Sequence, residues 1–474
     1  MECLYDLVIV HPFSETEYAI QSRTNINVGI LSLASYIDKK SYRVKILDYE
    51  EDKYFLEKIN EFVRKHTFKI FAISSTSCFT YRSLKRIVHN IKLPQESILV
   101  VGGQQIMGVK EKIFEEIPDL QYACFNEGES TLLHILNHYG GDFLDAPGLA
   151  FKTKNGYKYN PPNALSFEEL GQFNYKLYPN YLTKIPTIEE SRGCPHKCNF
   201  CGNYSIDYKV RIKKWQNFIK ETLEVYKLYN RDKLFINIGC STFGMNKENT
   251  LNLFKALIPH KNKFLIQAYT RCDTEYEEWI PYLKQLDISS VFFGMESASE
   301  EILLRMNKTK DPKTYIKRSQ HLIDLFYEHG INLWCNFIFG YVGESADTLV
   351  QTLEFILKNK SKMGFLSGHG LTAFPGTQVF KELNILKEKF NISIATEVSH
   401  PELLHYKINP SVDFTFEQIT ALSQILIKII NKKEAFERVY AWKCLGLETN
   451  SSLLDEKMDY IKSFFIVKHM SSKR

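Results

Sequence analysis

Three cysteines stand close together in the chain, Cys194, Cys198 and Cys201, with the spacing C-x3-C-x2-C. Three thiolates without a nearby fourth can hold an iron–sulfur cube and leave one iron free of protein ligands. That free iron would be open to a second molecule, so the motif predicts a reactive metal centre. A structural zinc site is the alternative, because His196 lies inside the loop and could complete four ligands.

The cysteines follow the first of several apolar segments that alternate with helical patterns. Trp215, Phe218 and Ile219 begin one such helix at three- and four-residue steps. Six strand–helix units predict a partial (β/α)6 barrel, with function at the carboxyl ends of its strands. The predicted strands are residues 187–191, 234–239, 264–269, 290–295, 333–340 and 364–373.

The first 140 residues show a second strand–helix alternation, with apolar runs at 4–10, 44–47, 70–74 and 98–101. This spacing predicts a Rossmann-like parallel sheet covered on both faces, and ligands of such sheets lie at the carboxyl ends of the strands. Small and glycine-rich segments follow these strands, at 74–77, 102–105 and 126–130. They could admit a large ligand close to the backbone, or they could be simple tight turns.

Length and composition narrow the class of protein. The 474 residues suffice for two to four domains, and 60 basic against 55 acidic side chains leave a formal charge of only +5. We therefore expect neither a nucleic-acid partner nor a membrane partner. Ten dispersed cysteines do not form a disulfide framework, and no apolar run reaches the roughly eighteen residues that span a bilayer. A cytoplasmic protein is expected.

These patterns divide the chain into four parts. We predict an α/β domain at 1–140, a linker at 141–181 that is polar and aromatic and contains Pro161 and Pro162, a barrel at 182–380 and a mainly helical region at 381–474. In the last part, Thr415 and Gln418 form a capping-box pattern at the start of a helix. Pocket-lining or ordinary core residues are expected further on, at Tyr440, Trp442 and Cys444.

The cysteine loop, with Phe200 before the last cysteine, resembles the C-x3-C-x-aromatic-C signature of radical S-adenosylmethionine (SAM) enzymes. The barrel segments resemble the family's further motifs in the right order, although Asn336 replaces a usual glycine. The resemblance implies a 4Fe-4S cluster on Cys194, Cys198 and Cys201. It also implies SAM contacts, which would come from Phe200, Ser241, Arg271, Glu296, Ile338, Gly340, Glu344 and Phe374.

The N-terminal part resembles the cobalamin-binding domain that precedes many radical SAM modules. Gly29, Ala34 and Asp48 match its Gly, Leu-Ala and Asp pattern. The D-x-H-x-x-G motif is absent, so a histidine ligand to cobalt of that kind is not expected, and Gln104-Gln105 also depart from the pattern. The resemblance implies cobalamin contacts from Ser75, Thr76, Gly102, Gly103, Glu127 and Gly128.

Together these resemblances imply an enzyme that cleaves SAM to a 5′-deoxyadenosyl radical and methylates an unactivated carbon of a small-molecule or natural-product substrate. A rearrangement, cyclisation or ring contraction without methyl transfer is the alternative, and a non-catalytic metal-binding scaffold is a third reading. The family also implies an external one-electron donor such as a flavodoxin or ferredoxin. No general acid or base is identified by the sequence.

Overall fold

The computed structural model describes residues 4–15, 25–205, 209–286 and 288–430. Its first sheet has seven strands in the order β2-β1-β3-β4-β5-β6-β7, of which the first five are parallel. The strands are β1 Tyr5–His11, β2 Val44–Asp48, β3 Phe68–Ser74, β4 Ile98–Gly102, β5 Tyr122–Cys124, β6 Leu149–Thr153 and β7 Gly156–Tyr159.

The helices of this domain connect the parallel strands. They are α1 Val28–Asp38, α2 Phe55–Lys65, α3 Cys78–Asn90, α4 Gln104–Val109, α5 Lys112–Glu116 and α6 Glu129–Asn137, followed by the short α7 Phe167–Leu170. Residues 7–10 of β1 are fully buried, because helices cover both faces of a parallel sheet. The Asn27 side chain accepts a hydrogen bond from the Ile30 amide at 3.2 Å and so begins α1. The predicted parallel-sheet domain is confirmed.

The predicted linker at 141–181 is wrong in its first part. Residues 149–159 form the antiparallel hairpin β6–β7 at the edge of the first sheet. All four residues of β7 are exposed, as befits an edge strand, so the hairpin lacks the apolar alternation by which strands are recognised. The three-residue β5, to which the hairpin pairs, was also missed, because it is too short to show a pattern.

The barrel is a six-stranded, all-parallel sheet in the order β15-β14-β13-β12-β11-β8, as predicted. A separate pair of short strands, β9 Ser191–Arg192 and β10 Arg211–Ile212, flanks the cysteine loop. The barrel strands are β8 Thr187–Glu189, β11 Leu234–Gly239, β12 Phe264–Thr270, β13 Ile288–Glu296, β14 Leu333–Phe339 and β15 Phe365–Gly370. Its helices are α8 Trp215–Tyr229, α9 Lys247–Leu257, α10 Ile280–Leu283, α11 Glu300–Arg305, α12 Pro312–Glu328 and α13 Ala346–Asn359.

The region after the barrel is helical with one small antiparallel sheet. Its elements are β16 Thr372–Ala373, α14 Gln378–Lys381, α15 Leu383–Phe390, β17 Ser393–Ile394, β18 Tyr406–Asn409 and α16 Phe416–Ile430. The predicted capping box begins α16, since Gln418 N donates to Thr415 Oγ1 at 3.2 Å and Thr415 N donates to Gln418 Oε1 at 3.0 Å. The candidates Tyr440, Trp442 and Cys444 lie outside the described residues.

The carboxyl ends of the strands of the first sheet face the barrel. Tyr178, in the segment between them, donates to the Asp48 carboxylate at the end of β2, at 2.9 Å. Asn25 and Ile185 form a parallel bridge between the segment before α1 and the segment before β8. No helix of the described ranges is both long enough and apolar enough to cross a membrane.

Candidate functional site

The cysteine loop leaves the barrel after β8 and is held from the opposite side by the segment that follows α11. Asn199 donates from its backbone to Met306 O and from its side chain to Arg305 O, both at 2.9 Å. Asn307 donates in return to Lys197 O at 2.7 Å. Three atoms of the loop are thereby fixed, so the thiol positions are preorganised rather than left to a mobile loop.

Two cations lie beside the thiols. Burial raises the pKa of Cys198, and the charges of Lys308 and Arg271 oppose that rise. A guanidinium nitrogen of Arg271 lies 3.9 Å from Cys198 Sγ. Both cations are themselves buried, with 6% exposed, so their fields are little screened. The two cations thus act to favour the thiolate form of Cys198, against the larger effect of burial.

The three thiols differ from the other candidate ligand cluster of the described residues. In that cluster, ligand atoms of His11, Asp48 and Glu50 all lie within 4.8 Å of one another. A cube would bind each of the three thiolates on a different iron, whereas a single zinc ion would bind all of them on one metal at about 2.3 Å.

Arg271 lies at the end of β12 and is firmly held. Its guanidinium makes two hydrogen bonds to the Asp273 carboxylate, at 2.8 and 2.7 Å, and a third to Lys308 O at 3.0 Å. The predicted SAM-binding arginine thus stands beside the cysteine loop. Asp273, which orients it, was not among the predicted site residues.

Glu296 lies at the end of β13, where the register with β14 shifts, and its backbone is left-handed with φ +70°. Its Oε1 accepts from Lys308 Nζ at 3.0 Å. Gly294 makes room for this arrangement, because a Cβ there would stand 2.5 Å from the same oxygen. Lys308 was missed in the sequence, where it follows no strand end and belongs to no motif.

Glu344 is held by hydrogen bonds within its own turn. Its Oε2 accepts from the amides of Gly340 and Tyr341, at 3.1 and 3.3 Å, and its Oε1 accepts from Thr348 Oγ1 at 2.9 Å. Both oxygens are therefore occupied by the protein's own turn. The predicted contact of Glu344 with SAM stays a prediction. Its hydrogen bonds show that Glu344 holds the turn at Gly340, whose φ is +65°.

The remaining predicted SAM contacts gather beside the loop. Phe200 and Ile338 pack against one hydrophobic cluster, and Phe200 meets Tyr341 edge to face with ring centroids 6.4 Å apart. Phe374 stacks on His405 at 5.3 Å. These side chains offer the apolar surface that an adenine ring needs.

Ser241 belongs to a hydrogen-bond chain that connects both domains. Asn203, just after the last cysteine, donates to Ser241 Oγ at 3.1 Å, and Gln104 donates to Asn203 Oδ1, also at 3.1 Å. Gln104 comes from the N-terminal domain, where it was noted only as a departure from the family pattern. Its side chain instead connects α4 to the cysteine loop.

A cavity of about 430 Å³ separates the two domains. One wall is made by the strand ends of the first sheet and the other by the start of the cysteine loop and the end of β11. The lining includes Asn27, Gly29, Thr76, Gly102, Gly103, Gln104, Asn126, Glu127, Gly128, Glu129, Glu189, Ser191, Arg192, Gly193, Asn203, Gly239, Cys240 and Ser241.

Five of the six predicted cobalamin residues line this cavity, and Ser75 does not. Ser75 is fully buried, and its hydroxyl pairs with Thr80 Oγ1 at 2.9 Å. Its role is structural, since Gly103 packs directly against its backbone. A Cβ on Gly103 would lie 2.8 Å from the Ser75 carbonyl carbon, and the φ of Gly103 is +98°. The glycine thus allows the loops at the ends of β3 and β4 to pack closely beside the cavity.

A buried ion network crosses the boundary between the domains. Arg192 contacts carboxylate oxygens of Glu127 at 3.2 Å, Glu129 at 2.9 Å and Glu189 at 3.0 Å. Arg211 forms a further ion pair with Glu127. The network fixes the distance between the two walls of the cavity. Sequence reasoning missed Arg192 and included Glu129 only as part of the segment 126–130, without a role.

Below Thr76 lies a buried histidine. His11 is 1% exposed; its Nδ1 lies 3.2 Å from Asp48 Oδ1 and its Nε2 lies 3.3 Å from Thr76 Oγ1. Asp48 also contacts Lys184 Nζ at 3.3 Å. Burial acts to raise the pKa of Asp48, but His11 and Lys184 lower it overall. The Asp48 carboxylate thus orients the His11 ring, and the ring in turn holds the Thr76 hydroxyl at the cavity.

A six-stranded parallel barrel and a second parallel-sheet domain thus meet at one cavity beside the cysteine loop, an arrangement that suits the binding of large cofactors. Comparison with known protein families agrees. The model of the B12 binding domain matches residues 24–136, and that of the Radical SAM superfamily matches residues 188–356. Together they cover more than half of the chain.

The chain therefore belongs to the radical SAM superfamily and carries an N-terminal B12-binding domain. Among curated proteins, it is 23% identical over 395 residues to an uncharacterized methyltransferase of Pyrococcus horikoshii, covering 80% of this chain and 83% of the relative. It is also 23% identical over 399 residues to the anaerobic magnesium-protoporphyrin IX monomethyl ester cyclase of Cereibacter sphaeroides. That match covers 79% of this chain but only 63% of the cyclase.

Two solved structures share the fold. The radical SAM methyltransferase TsrM from Kitasatospora setae, with cobalamin and a [4Fe-4S] cluster bound, superposes with a TM-score of 0.68 and 16% identity over 83% of this chain and 81% of its own. The cobalamin-dependent radical enzyme OxsB, with aqua-cobalamin bound, gives 0.71 and 18% over 98% and 72%. The predicted family, fold class and cofactors are confirmed.

Proposed function

We propose that this chain is a cobalamin-dependent radical SAM methyltransferase acting on a small molecule. The observation that carries the proposal is the shared cavity. The strand ends of the B12-binding domain, at Thr76, Gly102 and Gly103, form one wall, and Arg192 and Ser241, beside the cysteine loop, form the other. A methyl carrier and a radical source placed on these two walls would act on one substrate between them.

The cluster would be held by Cys194, Cys198 and Cys201, and SAM would lie between the loop and the far ends of β12 to β14. Bound in these places, the cluster would supply the electron that cleaves SAM, and cobalamin would supply a carrier for the methyl group. The protein's contribution is position and charge. Arg271 and Lys308 provide buried positive charge next to Cys198, and they suit the carboxylate of SAM as well as the anionic cluster.

Other side chains fix the geometry without contacting the reacting atoms. Asp273 orients Arg271 through two hydrogen bonds, and Glu344 fixes the turn at Gly340. Phe200 and Ile338 keep water from the same side of the loop, because they pack into one apolar cluster. Exclusion of water matters for radical chemistry, since it suppresses side reactions.

On the cobalamin side, Gly102 and Gly103 carry no side chains, so this wall of the cavity could admit a wide planar group. Glu127 could accept hydrogen bonds from amide groups at the edge of that planar group. Thr76 would face the ring with its hydroxyl, held from below by His11 and Asp48. His11 itself is 1% exposed, so it would act on the ring only through Thr76.

Methyl transfer is favoured over rearrangement by the relatives. The Pyrococcus protein is named a methyltransferase, as are relatives from Streptomyces wedmorensis and Chlorobaculum tepidum. The cyclases, matched over 79% of this chain in one case, support ring formation without methyl transfer as a second candidate. In either case an external one-electron donor, such as a flavodoxin or ferredoxin, would reduce the cluster.

The two candidates can be distinguished before the substrate is known. Protein reconstituted without oxygen with iron, sulfide and cobalamin is reduced and incubated with SAM carrying a trideuterated methyl group. Methyl transfer predicts that the label reaches the bound cobalamin, measured by mass spectrometry, and that 5′-deoxyadenosine forms. Formation of 5′-deoxyadenosine without any labelled cobalamin would favour the second candidate.

Two cysteine variants, one a test and one a control, complete this experiment. Cys198→Ala should abolish 5′-deoxyadenosine formation, because it removes a cluster ligand. Cys78→Ala removes an equally small buried thiol from the N-terminal domain, away from the loop, and should leave cleavage unchanged. Equal SAM cleavage by the wild type and the Cys198→Ala variant would contradict the radical mechanism.

A further inference from the structure

One part of the cysteine loop faces solvent. The end of the loop contacts the N-terminal domain through Asn203, and its middle contacts the barrel through Asn199. Between the first two cysteines, Pro195 and Lys197 are exposed, and Cys194 just before them is partly exposed. The solvent-facing part of the loop therefore lies beside the first of the predicted cluster ligands.

Exposed lysines stand next to this part of the loop. The Asn307 side chain donates to Lys197 O at 2.7 Å, and Lys310 Nζ donates to Asn307 Oδ1 at 2.9 Å. These two hydrogen bonds connect the side chain of Lys310 to the loop. Lys313 and Lys317 follow in the first turns of α12, and both are exposed. Their spacing of four residues places them on the same face of the helix.

The inner face of α12 shows how near these lysines are to the thiols. Tyr315, which lies between Lys313 and Lys317 in sequence, is buried. The Arg271 guanidinium lies over the Tyr315 ring, 5.7 Å from its centroid, and one of its nitrogens lies 3.9 Å from Cys198 Sγ. Two packed side chains thus connect the first turns of α12 with a predicted cluster ligand.

We call the four exposed lysines the lysine surface: Lys197, Lys310, Lys313 and Lys317. None of the four forms an ion pair with another described residue. Asp311 is the one acid in the segment 309–317, and its side chain accepts from Thr314 N at 3.1 Å as the cap of α12. The buried cations nearer the thiols differ, because Lys308 and Arg271 are each paired with a carboxylate. Positive charge therefore predominates on the lysine surface.

We infer that the lysine surface is the docking site of the external electron donor, a small acidic protein that carries one electron. This inference rests on the proposed function, because a cluster at the thiols is what requires such a donor. One electron would leave the reduced donor and enter the cluster, with no exchange of atoms. Electron transfer slows steeply with distance, so the donor must approach where the loop faces solvent. Complementary charge at that place would steer and orient the encounter.

The test compares two reductants on the same holoenzyme with SAM. One is saturating dithionite, which needs no docking surface, and the other is a limiting amount of an acidic flavodoxin kept reduced by its reductase. The rate of 5′-deoxyadenosine formation is measured with each, and flavodoxin binding is measured by biolayer interferometry. The double variant Lys313→Glu with Lys317→Glu should lower both the flavodoxin-supported rate and the affinity about tenfold at low salt. Its dithionite-supported rate should equal that of the wild type.

Lys227→Glu with Lys358→Glu is the matched control. These lysines are exposed in the last turns of α8 and α13, and barrel helices end away from the strand ends that carry the site. The control makes the same change in net charge and should behave like the wild type. Raising the ionic strength from about 0.01 M to about 0.15 M shortens the Debye length from about 30 Å to about 8 Å. The difference between the Lys313 and Lys317 variant and the wild type should therefore shrink.

Three results would each overturn the inference: no flavodoxin binding by the wild type, equal binding by the Lys313 and Lys317 variant, or an equal loss in the control. Lys310→Glu is a second variant, with the same expected direction, for the case that the double variant does not fold. Normal cleavage of SAM with dithionite, together with any of these results, would contradict only the docking site. Absence of 5′-deoxyadenosine from the wild type with dithionite would contradict the proposed function itself.

Discussion

Glu344 offers a quantitative test of how the SAM side of the barrel is built. Its side chain is 2% exposed, and burial raises its pKa from 4.5 to about 7, although hydrogen bonds from Thr348, Tyr341 and Gly340 oppose the rise. Between these two pH values the folded protein binds more protons than the unfolded chain. The free energy of unfolding therefore falls as pH increases through this window.

The size of this change in the free energy of unfolding follows from the pKa shift of Glu344. A pKa difference of about 2.5 at 1.36 kcal/mol per unit gives a penalty on the order of 3 kcal/mol above pH 7, and none below pH 4.5. Glutamine stays neutral at every pH, and its oxygen can still accept from the Gly340 and Tyr341 amides. We expect Glu344→Gln to gain up to about 3 kcal/mol relative to the wild type between pH 5 and pH 8.

The assay is urea unfolding of the cofactor-free protein at steps of pH from 5 to 8, followed by circular dichroism. Burial also raises the pKa of Glu190 to about 7, but that residue is present in both proteins and cancels in the difference. Glu388→Gln, at an exposed position of α15, is the control and should follow the wild type. A difference between Glu344→Gln and wild type that does not change with pH would refute the reasoning.

Three further substitutions test the rest of the site. Lys308→Met leaves the buried Glu296 carboxylate without its ion pair and should cost about 3–5 kcal/mol in urea unfolding, whereas Lys308→Arg should cost less. Arg192→Met removes the cation shared by three carboxylates at the domain boundary and should speed limited proteolysis between the domains; an unchanged rate would contradict its role. Gly103→Ala should lower the cobalamin bound per chain at least tenfold, while Gly140→Ala, with a similar positive φ of +85° but open space around it, should not. Equal cobalamin content in these two variants would show that position 103 tolerates a side chain.

Much of the architecture could be predicted because it depends on local patterns. Strand and helix periods repeat over short windows, so both parallel sheets and the capping box of α16 were recognised in the sequence. The hairpin β6–β7 was not, because an exposed edge strand carries no apolar alternation. The cysteine spacing was informative for the same reason as the helices, since ligands within one loop are neighbours in sequence and in space.

The chemistry of the site was predicted less completely, because it depends on contacts between distant segments. Lys308 pairs with Glu296, and Gln104 reaches Asn203, across separations that no local motif encodes. Ser75 and Thr76 are neighbours in sequence, yet one is buried and the other lines the cavity. Backbone direction at the end of β3 determines which of the two meets a ligand.

The amino-acid sequence thus suffices to identify the domain types and to predict the cluster ligands, because both depend on the spacing of nearby residues. It does not show that Glu344 holds its own turn or that Arg192 joins two domains. Those relations arise when separate strands take a register and two sheets pack face to face. Electrostatic and stacking contacts act over a few ångströms, so they exist only once the fold has brought those atoms together.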